Sequence, residues 1–126
     1  MENMDNDIRI NVDTHYVDEH SEPTIGRFVF SYTITIANQG SVAARLLSRH
    51  WIITDANGKV QEVRGDGVVG EQPHLNPGET FRYSSGAVIE TPVGSMHGSY
   101  NMRADNGTNF NAPIAPFTLA VPGVLQ

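Results

Sequence analysis

The stretch Gly65-Asp66-Gly67-Val68-Val69-Gly70 carries the glycine spacing GxGxxG. In a dinucleotide-binding fold, glycines so spaced let a pyrophosphate approach the backbone where a helix begins. The surrounding residues do not supply that helix. Pro73 and Pro77 follow closely, and the flanking residues alternate with the two-residue period of strands, so the stretch sits among antiparallel strands and not in a βαβ unit. Glu90 lies about where a ribose-binding acid would, but without the fold the distance carries no chemistry. A milder reading has the glycine-rich amides form a nest for a phosphate or pyrophosphate, with Arg64, His74 or Arg82 supplying charge. Its ligand-binding candidates are Arg64, Gly65, Asp66, Gly67, Val68, Val69 and Gly70. The plainer expectation is that these glycines give positive φ and close backbone approach in a loop joining two sheets.

Other reactive side chains are less organised. His15, Asp18, Glu19 and His20 are the one close group of possible metal ligands, yet two histidines five apart at a strand-to-loop junction lack the fixed facing of a helical i, i+4 pair. His50, His74 and His97 are scattered. Ser84-Ser85 lie in a strand pattern without the strand-to-helix elbow that presents a nucleophile. There is no cysteine, hence no disulfide framework, thiolate zinc site or cysteine nucleophile. The residues therefore suggest no catalytic group, no metal site and no cofactor, and the chain is expected not to be an enzyme.

Whatever these residues do, short strands must position them. Ile8, Ile10, Val12, Thr14 and Tyr16 share one face of an extended segment; Phe28, Phe30, Tyr32, Ile34 and Ile36 form the longest alternating run and are expected at the centre of a sheet. Trp51 and Ile53 alternate with His50, Ile52 and Thr54 up to a turn at Asp55-Ala56-Asn57-Gly58, after which Val60 and Val63 resume the pattern. Further strands are expected at Thr80 to Ala87, at Met96 to Met102 after a break at Thr91-Pro92-Val93-Gly94, and beyond a turn at Asp105-Asn106-Gly107. Pro113 and Pro116 lack amide donors, so the last strand must lie at an edge or contain a bulge. No window has an apolar stripe at helical spacing. Seven or eight strands separated by turns make an all-β, fibronectin type III-like or immunoglobulin-like antiparallel β-sandwich. Trp51 is the expected anchor between its sheets.

The totals fit one such domain. A chain of 126 residues needs a single core, and 39% apolar with 17% charged residues is an ordinary globular balance. Residues 1–7 read as a flexible acidic N-terminus and residues 8–126 as one domain. A net charge of -6 argues against non-specific nucleic-acid binding, which needs a broad basic surface. The N-terminus lacks the apolar run of a signal peptide, and no stretch approaches the ~18 apolar residues of a membrane helix, so the expected location is cytoplasmic and off the membrane.

Taken together and in order, RHWIITDANG, GDGVVGEQPHLNPGETFRYSSG and TPVGSMHGSYNM closely resemble the signature of the bacterial ApaG family. The resemblance spans nearly the whole chain and rests on several segments, including Trp51, Pro73, Pro77-Gly78, Ser85-Gly86, Gly94 and Met96 to Tyr100. It implies a fibronectin type III-like sandwich, found alone in bacteria and as a domain in some eukaryotic F-box and DNA-polymerase-interacting proteins. It also implies a genetic association with cobalt resistance and magnesium efflux, and a frequent gene neighbourhood with a dinucleoside-tetraphosphate hydrolase, without an agreed biochemical activity. The expectation is a non-catalytic protein-interaction module acting through an unknown protein partner, the alternative being a sensor of a phosphate or pyrophosphate compound at Gly65–Gly70. The Val12 to Val17 half of the first strand carries little edge protection and suggests a homodimer contact.

Overall fold

The structure, a computed structural model, describes residues 5–124. Eight strands follow in chain order: β1 (Ile8–Tyr16), β2 (Phe28–Asn38), β3 (Ala44–Asp55), β4 (Val60–Asp66), β5 (His74–Leu75), β6 (Thr80–Ile89), β7 (Val93–Ala104) and β8 (Asn109–Ala120). They form two antiparallel sheets, one ordered β1-β2-β6 and the other β4-β3-β7-β8, with β5 pairing the start of β3. Helical structure among the described residues is confined to two 3₁₀ turns, Asp18–His20 and Pro23–Ile25, in the β1–β2 connection.

Alternation explains the packing. Phe28, Phe30, Tyr32, Ile34 and Ile36 are all buried, and β2 is the middle strand of its sheet. Trp51, 2% exposed, reaches from β3 between the sheets, with its ring centroid 5.5 Å from Tyr32, 5.9 Å from Phe117 and 6.3 Å from Tyr100. Its rings close edge-on, the favoured aromatic geometry.

Two bulges shape the larger sheet. Leu46 faces Met102 but Ser48 faces Asn101, which leaves Leu47 as the extra residue of β3. Met96 faces Phe117 while Gly98 faces Ile114, so β8 carries one extra residue in the segment that holds Pro116. β8 is also an edge strand. Both devices that tolerate proline thus occur together. β7 begins at Val93, inside the stretch read from sequence as a break.

Backbone hydrogen bonds reach ahead of β1. Asp5 and Asp7 are held against the β2–β3 connection, their carbonyls accepting from Val42 N at 3.3 Å and Gln39 N at 2.8 Å. Ser41 Oγ donates to Asp5 Oδ1 at 2.5 Å. These backbone bonds extend the ordered chain ahead of residue 8; residues 1–4 lie outside the described residues. At the same end, the buried Asn38 side chain donates to the carbonyls of Val42 (3.0 Å) and Leu75 (2.9 Å) and accepts from Gly40 N (2.9 Å).

Candidate functional site: the outer face of the larger sheet

The glycine stretch lies in two pieces. Gly65 and Asp66 belong to β4, opposite Arg49 and Ser48. Gly67 turns the chain with φ 61°, and Val68 is fully buried in the core. The next four residues make a two-residue hairpin: Val68 N donates to Glu71 O and Glu71 N to Val68 O, with positive φ at both central residues, Val69 (44°) and Gly70 (81°). Positive φ at both positions is the mark of a type I′ turn, one that valine fits badly.

Two of the amides in this stretch are engaged within the fold. The amides of Gly67 and Val68 already donate to Leu47 O and Glu71 O. Asp66 and Glu71 line the hollow beside the loop, the wrong charge for a phosphate. Of the three side chains expected to supply charge, Arg64 lines the outer-face cleft with Gly65 and Asp66 but is bonded to Glu62, His74 is bonded to Asp105, and Arg82 stands on β6 of the other sheet opposite Thr35. Arg49, which sequence reasoning did not single out, instead braces the loop's base by donating to the carbonyls of Asp66 and Gly67.

The polar face with room for a ligand is the outer surface of β4-β3-β7-β8. Register and alternation place Arg45, Ser48, His50 and Ile52 of β3 opposite Arg103, Asn101, Ser99 and His97 of β7 on that side. A shallow cleft of about 510 Å³ is lined by Arg64, Gly65 and Asp66 on its β4 side and by Ser48, His50, Asn101 and Asn111 across β3, β7 and β8. A second, of about 400 Å³, lies between Arg45, Leu47, Arg103 and Gly107.

Charge is distributed unevenly here. Although the chain is acidic, β7 and β8 contain no carboxylate, and β3 has only Asp55, which is buried and accepts the amides of Asn57 and Lys59 in the turn. Arg45 and Arg103 are direct cross-strand partners, and no carboxylate forms an ion pair with either among the described residues. Like charges in that relation repel. Arg45 is held in place, donating from Nη1 to Gln72 O at 2.8 Å. Asp105, which lines this same cleft, is engaged by His74 Nε2 at 3.0 Å. At the β4 side, the Arg64 and His50 hydrogen bonds to Glu62 hold its carboxyl below the usual carboxylate range.

Among the described residues no three histidine, aspartate or glutamate side chains gather in a way that could hold a metal ion. No helix among them is long and apolar enough to cross a membrane.

Two packed antiparallel sheets with a polar outer face define the class: an all-β sandwich of the fibronectin type III kind. Within that class the chain belongs to the ApaG family. The ApaG domain pattern matches residues 18–104. The chain is 62% identical over 119 residues to Protein ApaG of Thiobacillus denitrificans and 58% identical to that of Pseudomonas putida, covering 94% of each chain in both comparisons. A crystal structure of a Bordetella pertussis protein described as ApaA superposes with a TM-score of 0.92 at 52% identity, covering 94% of this chain and 96% of that one.

Proposed function

We propose that this chain is a non-catalytic recognition module that takes an acidic protein segment across the outer face of its larger sheet. The observation that carries this reading is the cross-strand pairing of Arg45 with Arg103, neither of which forms an ion pair among the described residues. Like charges set directly across a strand pair cost stability unless something anionic is shared between them, and arginine is the side chain suited to gripping a carboxylate with paired donors. The form of the face favours a polypeptide over a small molecule. Small-molecule sites are concave and mostly apolar, whereas these clefts are shallow, run across several strands and are lined mainly by polar side chains, serine, asparagine, histidine and arginine together with Asp66 in the first and the His74-bonded Asp105 in the second. An extended acidic segment could engage Arg45 and Arg103 at one end and the Asn101, Asn111 and His50 region at the other. The association with cobalt and magnesium handling would then run through such a partner.

The test is fluorescence anisotropy with a labelled aspartate- and glutamate-rich peptide, at low and physiological salt, against intact protein and the Arg45→Gln and Arg103→Gln variants. Binding that weakens with salt and falls roughly tenfold in each variant supports the reading, since a hydrogen bond to a charged group contributes about 1.5–3 kcal/mol. Binding that is indifferent to both substitutions overturns it. Equal binding of inorganic pyrophosphate at the same residues would replace the peptide with a small anion.

A further inference from the structure

We infer that the β4 edge is a self-recognition surface through which two copies of this chain pair strand to strand. The argument starts from hydrogen-bond parity. Gly67 N bonds Leu47 O and Asp55 N bonds Lys59 O, so odd-numbered residues of the 59–67 segment turn their backbone groups toward β3. The even-numbered residues Val60, Glu62, Arg64 and Asp66 therefore turn theirs to the open edge.

The sequence of this edge is complementary to itself. An antiparallel pairing about a two-fold axis at Val63 sets Glu62 opposite Arg64 of the second copy and Arg64 opposite its Glu62. Val60 then meets Asp66. Every pair so formed is of the hydrogen-bonding type, so the outward amides and carbonyls of one edge find those of the other; the Asp66 carbonyl, which already accepts from Arg49, keeps a second lone pair. The Glu62 and Arg64 side chains stand on one face and are already ion-paired along the strand at 2.7 Å, so pairing joins two such pairs into a four-charge network. Val63, 37% exposed, would meet its own counterpart.

The other edges lack this match. β8 carries Pro113 and Pro116. β1 lies against β8 of the facing sheet, and its Val12 to Val17 half, the segment that suggested a homodimer contact from sequence, has one charged residue, Asp13, with no oppositely charged residue to pair it in a second copy. β6 has a single charge, Arg82, and its Val88 carbonyl is taken by Gln61 Nε2 at 3.1 Å. Only β4, among the described edges, combines open backbone groups with a charge pattern that reads the same in both copies. The two-fold axis stands perpendicular to the sheet, so both outer faces of the joined sheets point the same way. A dimer would thus present two copies of the Arg45–Arg103 cleft on one side.

The experiment is sedimentation equilibrium across a wide concentration range on intact protein, Glu62→Arg, Arg64→Glu and the double exchange. One strand pairing is a small interface, so a dissociation constant in the micromolar to millimolar range is expected. Each single reversal sets like charges opposite each other and should weaken association at least about tenfold. The double exchange restores opposite charges and should recover it. A monomer up to about 1 mM, or a dimer that ignores the single reversals, overturns the inference. Circular dichroism of each variant separates lost pairing from lost folding. The outcome does not depend on the acidic-segment reading, which is tested at Arg45 and Arg103.

Discussion

The hydroxyl of Tyr83, on β6 of one sheet, meets the hydroxyl of Tyr100, on β7 of the other, at 2.5 Å inside the core. Burial pushes the Tyr83 phenol from 10.0 up to about 12 and raises that of Tyr100 further, so the fold favours both as neutral phenols. With folded values above unfolded ones, the associated stability is complete below pH 10 and lost as pH rises toward 12. Urea midpoints should fall across that window, with phenolate absorbance from the buried pair appearing together with unfolding. Either substitution, Tyr83→Phe or Tyr100→Phe, should cost about 1–2 kcal/mol by leaving a hydroxyl unpaired, and the double variant should cost less than their sum. Strict additivity would show that the pair contributes nothing as a pair.

Trp51→Ala should cost about 3–5 kcal/mol, because it removes the ring that three others pack against. Trp51→Phe should cost distinctly less. The indole Nε1 is buried without a hydrogen-bond partner among the described residues, so phenylalanine removes an unsatisfied donor along with some volume. Denaturant midpoints of the two variants check the order.

Val69 is more than half exposed and holds φ 44° at the first central position of its hairpin. A β-branched residue there is strained by about 1–2 kcal/mol. Val69→Asn creates the Asn-Gly pair that type I′ turns prefer and should raise the melting temperature. A lower one would mean that the valine is held by contacts outweighing its backbone strain.

Arg103→Glu would place a carboxylate directly opposite Arg45. It should gain about 0.2–1 kcal/mol of stability as a cross-strand pair of opposite charge. The same change should abolish binding of an acidic segment. Thermal unfolding and peptide anisotropy, measured on one preparation, show whether stability and recognition move in opposite directions.

Much of the fold is legible in the sequence because half-buried strands alternate. The β2 run from Phe28 to Ile36 and the Trp51 strand announce their inward faces residue by residue, and Pro113 and Pro116 announce an edge. The Arg45–Arg103 face is not legible in the same way. Arg45 and Arg103 are opposed only because the Leu46/Ser48 bulge shifts the register of β3 against β7, and no local pattern predicts that shift. Burial of Val68 is hidden for a related reason. A glycine-rich string reads as a loop, while Gly67 turns one of its residues into the core. The self-complementary charges of β4 were visible as letters, but their meaning needed the parity of the β3–β4 hydrogen bonds.

Asn38 has a consequence for how the molecule breathes. Its side chain ties the end of β2 to Val42 and Leu75, while its backbone accepts from Gly78 and donates to Glu79 O. Long connections such as that between β4 and β6 commonly open by themselves, giving their amides to solvent deuterium well before the core does. Here one carboxamide links both sheets to that connection. Hydrogen exchange at Leu75, Gly78 and Glu79 should therefore track global unfolding, so this end of the sandwich joins the same cooperative unit as the core.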